Sequence, residues 1–352
     1  MAKIDVLFRE LIARKGSDLH LEQGQYPKLR VHGSLVAIDG AAILTEEYLR
    51  EILSEIASPE MWRRYEAAGD LDFAYALGVD ARFRANFYRH FFGLGAVFRL
   101  IPSEIVSLEA LDMPKVLKEF GDLRSGLVLI TGPTGSGKST TLAAVIDYIN
   151  RNYTKKIITI EEPVEFVHKN QKGIVTHREV GLDTASFASG LKSGIKSDAD
   201  IILVGEMRDK ETILLALTAA QMGILVFGTL HTNSAAKTID RIIDVFSVDQ
   251  KNQVRTILVN TLQGIVSQQL LKSADGARRW VAYEIMLRTP AMAAIITEGE
   301  TAKLISEIQL NRAKGMILMD DCLAELVRSG KVKKEDAFMK ALDKAAFATK
   351  AA

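Results

Sequence analysis

GLVLITGPTGSGKSTTLAAVIDYI, Gly126 to Ile149, joins a short apolar run, a glycine-rich turn and an amphipathic continuation. Gly132, Gly137, Lys138 and Ser139 meet the G-x-x-x-x-G-K-[ST] pattern of a phosphate-binding loop, and the sequence pattern supplies the strand before it and the helix after it that the motif requires. The residue types follow from the chemistry. Glycines at Gly132, Gly135 and Gly137 allow backbone dihedrals closed to other residues, so successive N–H groups can turn inward toward a polyphosphate. The helix starting near Lys138 adds its positive end. Lys138 brings a mobile cation to the terminal phosphates, and Ser139 offers an oxygen to Mg²⁺. The candidate cradle for the nucleotide is thus Gly132, Pro133, Thr134, Gly135, Ser136, Gly137, Lys138, Ser139 and Thr140.

A chain of 352 residues is too long for one ordinary core and suggests two domains or slightly more. Apolar residues make up 48% and charged residues 25%, as in folded globular domains. Forty-five basic residues against forty-four acidic ones leave no electrostatic footprint of a nonspecific nucleic-acid binder, so no nucleic-acid partner is expected. Cys322 is the lone cysteine, which excludes an internal disulfide and a multi-cysteine zinc site and fits a reducing compartment, with cytoplasm the default. The opening MAKIDVLFRELIARKG reads as a charged amphipathic helix without the apolar core of a signal peptide. No window approaches the roughly twenty uncharged apolar residues needed to span a bilayer.

In chain order, the first helix carries Ile4, Leu7, Phe8, Leu11 and Ile12 at helical spacing. Strands are expected at 18–21, 28–31 and 35–38, a helix capped by Thr45 through Ile56, another from Ser58-Pro59-Glu60, and strands at 70–76, 80–88 and 96–101. Residues 1–101 therefore form a small α+β domain. In its strand around Phe83, Phe83, Ala85 and Phe87 share one face while Arg82, Arg84 and Asn86 share the other, which composition alone assigns to a solvated surface. PSEIVSLEALDMP, residues 102–114, has a proline at each end and reads as a linker. Beyond it, nearly continuous apolar strands at 127–130, 156–160, 200–204 and 224–229 alternate with helices, the mark of an α/β domain with a parallel sheet over 115–288. Helices complete it from 289 to 352.

Ligands of such sheets bind at the carboxyl ends of the strands. There the sequence places Glu161-Glu162-Pro163-Val164-Glu165, then Gly205-Glu206-Met207-Arg208-Asp209, then Leu230-His231-Thr232. Hydrolysis of a phosphoanhydride needs a metal-bound polyphosphate, a carboxylate to orient water, and cations or donors around the developing charge. Glu206, closing an Ile-Ile-Leu-Val run, is the first candidate base. Glu161 and Glu165 are its rivals, and both also fit helix-initiating surface acids. His231 fits either a sensor of the terminal phosphate or a satisfied buried histidine.

GPTGSGKST, TIEEPVEF, DIILVGEMRD and GTLHTNSAAKTIDRIIDVF, in this order and spacing, together resemble the secretion and pilus motor ATPases and most of all the type IV pilus retraction ATPases. KGSDLHL and ARFRANF in the first domain match that family too. The resemblance implies a homohexameric ring that hydrolyses ATP with Mg²⁺, each subunit having a PAS-like N-terminal domain and a RecA-like domain that move relative to one another. It implies work on an inner-membrane pilus platform protein from the cytoplasmic face, with a second retraction ATPase as a further partner. Residue by residue, Lys138, Ser139 and Thr140 bind phosphate and Mg²⁺, Glu161 belongs to the acidic box, Glu206 is the catalytic glutamate and His231 the histidine-box residue. Arg82 and Arg84 match positions that reach nucleotide in the ring, and Arg241 is another candidate.

Three departures bear on the subtype. Glu162 stands where the family usually has aspartate, and Lys192 and Lys196 stand where arginines are typical, which points to slow turnover because lysine lacks the two-pronged contact. Thr289-Pro290 is followed by Ala291-Met292-Ala293-Ala294-Ile295, without the Arg-Asn pair of the main retraction ATPases. An accessory or divergent member is therefore expected. The missing multi-cysteine zinc element argues against the pilus extension ATPases.

Overall fold

The structure, a computed structural model, describes residues 2–31, 33–78, 81–101 and 104–350. Asp80, which opens the strand expected at 80–88, Pro102 and Ser103 of the expected linker, and Ala351 and Ala352 at the end lie outside the described residues. Two compact units divide the chain, Met1–Glu104 with Pro163–Val167, and Ile105–Glu162 with His168–Ala352.

The first unit has helices α1 (Asp5–Ala13), α2 (Glu46–Ser54) and α3 (Pro59–Ala68) and strands β1 (Asp18–Glu22), β2 (Lys28–Val31), β3 (Ser34–Ala37), β4 (Asp70–Leu77), β5 (Ala81–His90) and β6 (Gly93–Ile101). The strands pair antiparallel in the order β3-β2-β1-β6-β5-β4. Local chemistry starts the helices as expected. Thr45 accepts from the Tyr48 N–H and Ser58 from the Met61 N–H, with Pro59 in the first turn of α3. The alternation along β5 buries Phe83, Ala85 and Phe87. Phe8 of α1 stacks on Phe83 at 4.1 Å between ring centroids and meets Phe98 edge-on at 5.0 Å, which fixes α1 on the sheet. On the opposite face Arg84 sits in register with Arg99, and Arg99 in register with Asp18. Arg99 Nε donates to Asp18 Oδ1 at 2.9 Å. Burial raises the Asp18 pKa, but the Ser17 hydroxyl and the Arg99 guanidinium outweigh it and hold the carboxyl below its usual range.

In the second unit the strands are β7 (Gly126–Thr131), β8 (Lys156–Glu161), β9 (Ile174–Glu179), β10 (Ile201–Val204), β11 (Leu225–Leu230), β12 (Leu262–Lys272) and β13 (Arg279–Leu287). They lie in the order β13-β12-β7-β11-β10-β8-β9, parallel except for the β12–β13 hairpin. The helices are α4 (Val116–Glu119), α5 (Lys138–Asn152), α6 (Phe187–Ile195), α7 (Lys210–Gln221), α8 (Ala235–Asp244), α9 (Val248–Thr261), α10 (Pro290–Glu298), α11 (Leu304–Leu310), α12 (Met319–Arg328), α13 (Lys334–Lys340) and α14 (Lys344–Lys350). Every residue of β7, β10 and β11 is buried, as strands covered on both faces must be. One apolar cluster, with Leu129, Ile160, Val204, Ile213 and Leu217, fills one side of the sheet, and another, with Val128, Ile130, Val145 and Phe227, fills the other. The sequence reading named the four central strands but not β9, β12 or β13. Among the described residues no helix is long and apolar enough to cross a membrane.

Candidate nucleotide site

The parallel register brings the candidate groups to one rim. Leu230 faces Thr131 across β11 and β7, Val204 faces Gly228 across β10 and β11, and Val204 faces Ile160 across β10 and β8. The residues that follow, Gly132 onward, His231, Glu206 and Glu161, therefore emerge from neighbouring strands at the same end of the sheet. Backbone bonds continue past the strands and fix these exits: Gly132 N–H to Leu230 O at 3.2 Å, Met207 N–H to Thr229 O at 3.0 Å, and Gly205 N–H to Ile160 O at 2.7 Å.

The loop after β7 has the conformation its glycines permit. Gly132 has φ +146°, and Gly137, the N-cap of α5, has φ +90°. A Cβ on Gly132 would lie 2.3 Å from the Gln268 carbonyl oxygen, so an alanine there meets both a glycine-favoured φ and a backbone atom. Gly132→Ala is expected to add about 1 to 3 kcal/mol of strain to the loop. Titration with a fluorescent ATP analogue should show binding weaker by about fivefold to over a hundredfold; an unchanged affinity would show that the loop relaxes freely. Lys138, nearly buried, donates from Nζ to Gly132 O at 2.8 Å and Pro133 O at 3.1 Å, which holds its charge over the loop. The Ser136 hydroxyl is buried and has no hydrogen-bond partner among the described residues. An orphaned donor inside a glycine loop at a helix N-terminus fits an anion acceptor.

Glu206 is held on both carboxylate oxygens. Arg208 grips it with two prongs, Nε to Oε1 at 2.5 Å and Nη2 to Oε2 at 2.6 Å, while His231 Nε2 lies 2.9 Å from Oε1. Burial raises the Glu206 pKa, but the Arg208 hydrogen bond and charge, with His231, lower it more, and the net position is below the ordinary carboxylate value. Glu206 is thus ionised throughout the neutral range. Arg208 was quoted in the sequence reading only as part of the strand-end segment and was given no role; an arginine two residues after the acid on an extended exit, hence on the same side, was the available signal. Glu161 is half-buried and lies 3.9 Å from His177 Nδ1.

Behind the rim, Thr131 Oγ1 is 2.8 Å from Ser267 Oγ, Thr238 Oγ1 is 3.5 Å from Thr131 Oγ1, and Thr232 Oγ1 is 2.6 Å from Thr238 Oγ1. This hydroxyl chain ties the strand that ends in the phosphate loop to the segment that carries His231. Ser139 and Thr140 lie in the first turn of α5. Other candidates stand apart. Arg241 is exposed in the last turn of α8, about 9 Å along the axis from its start, and forms no ion pair among the described residues. Lys192 pairs with Glu211 at 2.6 Å on an exposed surface. Arg82, Arg84 and Glu165 belong to the other compact unit.

The family profile described as "Type II/IV secretion system protein" matches residues 2–337. The protein named "Type IV pilus retractation ATPase PilT" from Pseudomonas aeruginosa is 47% identical over 330 residues, 94% of this chain and 95% of its own length. The "Twitching motility protein" of Neisseria gonorrhoeae is 45% identical over 311 residues, 88% of this chain and 83% of its own. The crystal structure of the pilus retraction motor PilT with bound ADP superposes with a TM-score of 0.91 at 39% identity, covering 98% of both chains. With the phosphate loop, acid rim and two-part fold all accounted for along its length, the chain belongs to the type II/IV secretion system protein family and, within it, to the type IV pilus retraction ATPases.

Proposed function

We propose that this chain is the ATP-hydrolysing motor of type IV pilus retraction, acting as a homohexamer on the cytoplasmic side of the inner membrane. The observation that carries the chemistry is the convergence of the Lys138 loop, ionised Glu206 and His231 on one rim, in a chain 47% identical to a named retraction ATPase. In this reading the backbone of residues 132–140 and Lys138 cradle the polyphosphate, the Glu206 carboxylate orients and deprotonates the attacking water, and His231 reads the terminal phosphate through its contact with Glu206. Among the described residues Oε2 carries only the Arg208 Nη2 bond, which leaves an acceptor site for that water. Glu161 supplies the acidic box.

The donors present fit Mg²⁺. The Ser139 hydroxyl, in the first turn of α5 beside the phosphate loop, would hold the ion together with the nucleotide's own oxygens. When bound it neutralises charge on the phosphates. Residues 1–101, the linker 102–114, the ATPase domain 115–288 and its helical part 289–352 are the divisions that go with this reading. Arg82 and Arg84 are offered to the nucleotide of a neighbouring subunit, with Arg241 a further candidate. The external partners are an inner-membrane platform protein and a second retraction ATPase.

Expression in a strain stripped of its own retraction motors tests the function and the subtype together. Ala293 and Ala294, in place of Arg-Asn, offer a partner neither charge nor amide, which favours an accessory or divergent motor. Twitching is expected only when a second retraction ATPase is co-expressed, and only with Lys138 intact. Full restoration by this chain alone would overturn the accessory reading, and no gain in either setting would overturn the retraction reading.

A further inference from the structure

His177 belongs to no motif that the sequence reading used. It lies on β9, in register with Thr159 of β8 and two residues before Glu179, which faces Glu161. Its two ring nitrogens are both engaged. The backbone N–H of His168 donates to Nε2 at 2.9 Å, so Nε2 carries no proton. The neutral ring must then hold its proton on Nδ1, which lies 2.8 Å from the buried Thr159 hydroxyl oxygen and 3.9 Å from Glu161 Oε1. The His168 ring stacks parallel on it, 5.6 Å between centroids and 14° between planes. Burial first, then the neighbouring His177, pushes the His168 pKa down to about 3, so this second ring stays neutral.

We propose that His177 is a positioning residue for ATP hydrolysis: its neutral Nδ1–H tautomer, fixed by the His168 backbone N–H, sets the placement of Glu161 through Thr159 and through its own N–H edge. The inference rests on the acidic-box role of Glu161. Glu161 of β8 and the ring and N–H of His168, from the segment before β9, lie against His177.

Glutamine tests the position. Its amide oxygen and nitrogen are spaced much like the two ring nitrogens, so it can accept from His168 and donate toward Thr159 without taking up a proton. The full-length chain is assayed for ATP turnover at about pH 8, with thermal unfolding measured alongside. His177→Ala is expected to lower kcat about tenfold at pH 8 with KM for ATP changed less than about twofold. His177→Gln should restore kcat to within about twofold of the parent. Parent-like activity in His177→Ala, a His177→Ala loss matched by its loss of folded protein, or a His177→Gln variant no more active than His177→Ala would each overturn the proposal. Glu161→Gln is the control: full turnover there removes the acidic-box reading itself, whereas an inactive Glu161→Gln beside a fully active His177→Ala removes only His177.

Discussion

Glu206→Gln leaves ATP bound and uncleaved. The substitution keeps the size of the side chain but removes the charge that Arg208 and His231 surround at 2.5 to 2.9 Å, and an amide cannot take the proton of water. The loss of a positioned base is worth about a hundredfold to ten-thousandfold in rate, and kcat should fall within that range while nucleotide affinity stays near the parent value. Lys138→Ala behaves differently. Its ammonium belongs to the phosphate loop, bonded to two loop carbonyls, and its removal strips the cradle of its one side-chain cation and leaves Gly132 O and Pro133 O without that donor. Binding and turnover should both collapse. Fluorescent-nucleotide titration and phosphate release, on protein of confirmed oligomeric state, separate the two. Equal loss of affinity in both variants would contradict the division of roles between base and cradle.

What the sequence made legible follows the strength of its local rules. The phosphate loop and the four central strands were readable because burial on both faces leaves an unbroken apolar run, as in GLVLIT, KIITIE, IILV and LVFGTL. β9 was missed because IVTHRE mixes its residues as an edge strand covered on one flank does, and its pairing with β8 depends on partners far along the chain. β12 hides for another reason. Ser267, Gln268 and Gln269 interrupt its apolar run yet are buried; Ser267 meets Thr131 Oγ1, Gln268 Nε2 donates to Thr141 Oγ1 at 2.9 Å while its Oε1 has no partner among the described residues, and Gln269 Nε2 donates to Lys340 O at 3.0 Å. The same limit applies at the site. Glu206 and His231 were found separately by position at strand ends, but their direct contact, the two-pronged hold of Arg208, and the placement of His177 beside Glu161 are facts of register between strands. No spacing rule within one segment contains them.

The arginines of the first unit are where sequence pattern, packing and function pull apart most sharply. Strand alternation puts Arg82 and Arg84 on the face away from Phe83, and the structure keeps Arg84 exposed beside Arg99, with the ionised Asp18 offsetting the like charge across the pair. If Arg82 reaches the phosphates bound by a neighbouring subunit, its loss removes a cation that stabilises only the transition state. Arg82→Ala should then cost on the order of a thousandfold in turnover, about 4 kcal/mol of barrier, with little change in ATP affinity. The effect identifies its own geometry when subunits are mixed. A ring of Arg82→Ala subunits lacks the arginine at every interface and a ring of Glu206→Gln subunits lacks the base at every site, so each alone is inactive. In a mixed ring, a site whose own chain has Glu206 and whose neighbour has Arg82 is complete. Turnover should therefore rise from near zero in either pure sample to a maximum at intermediate ratios. Hexamers that stay inactive at every ratio would exclude Arg82 from its neighbour's site, and an arginine acting within its own chain would give the same flat result.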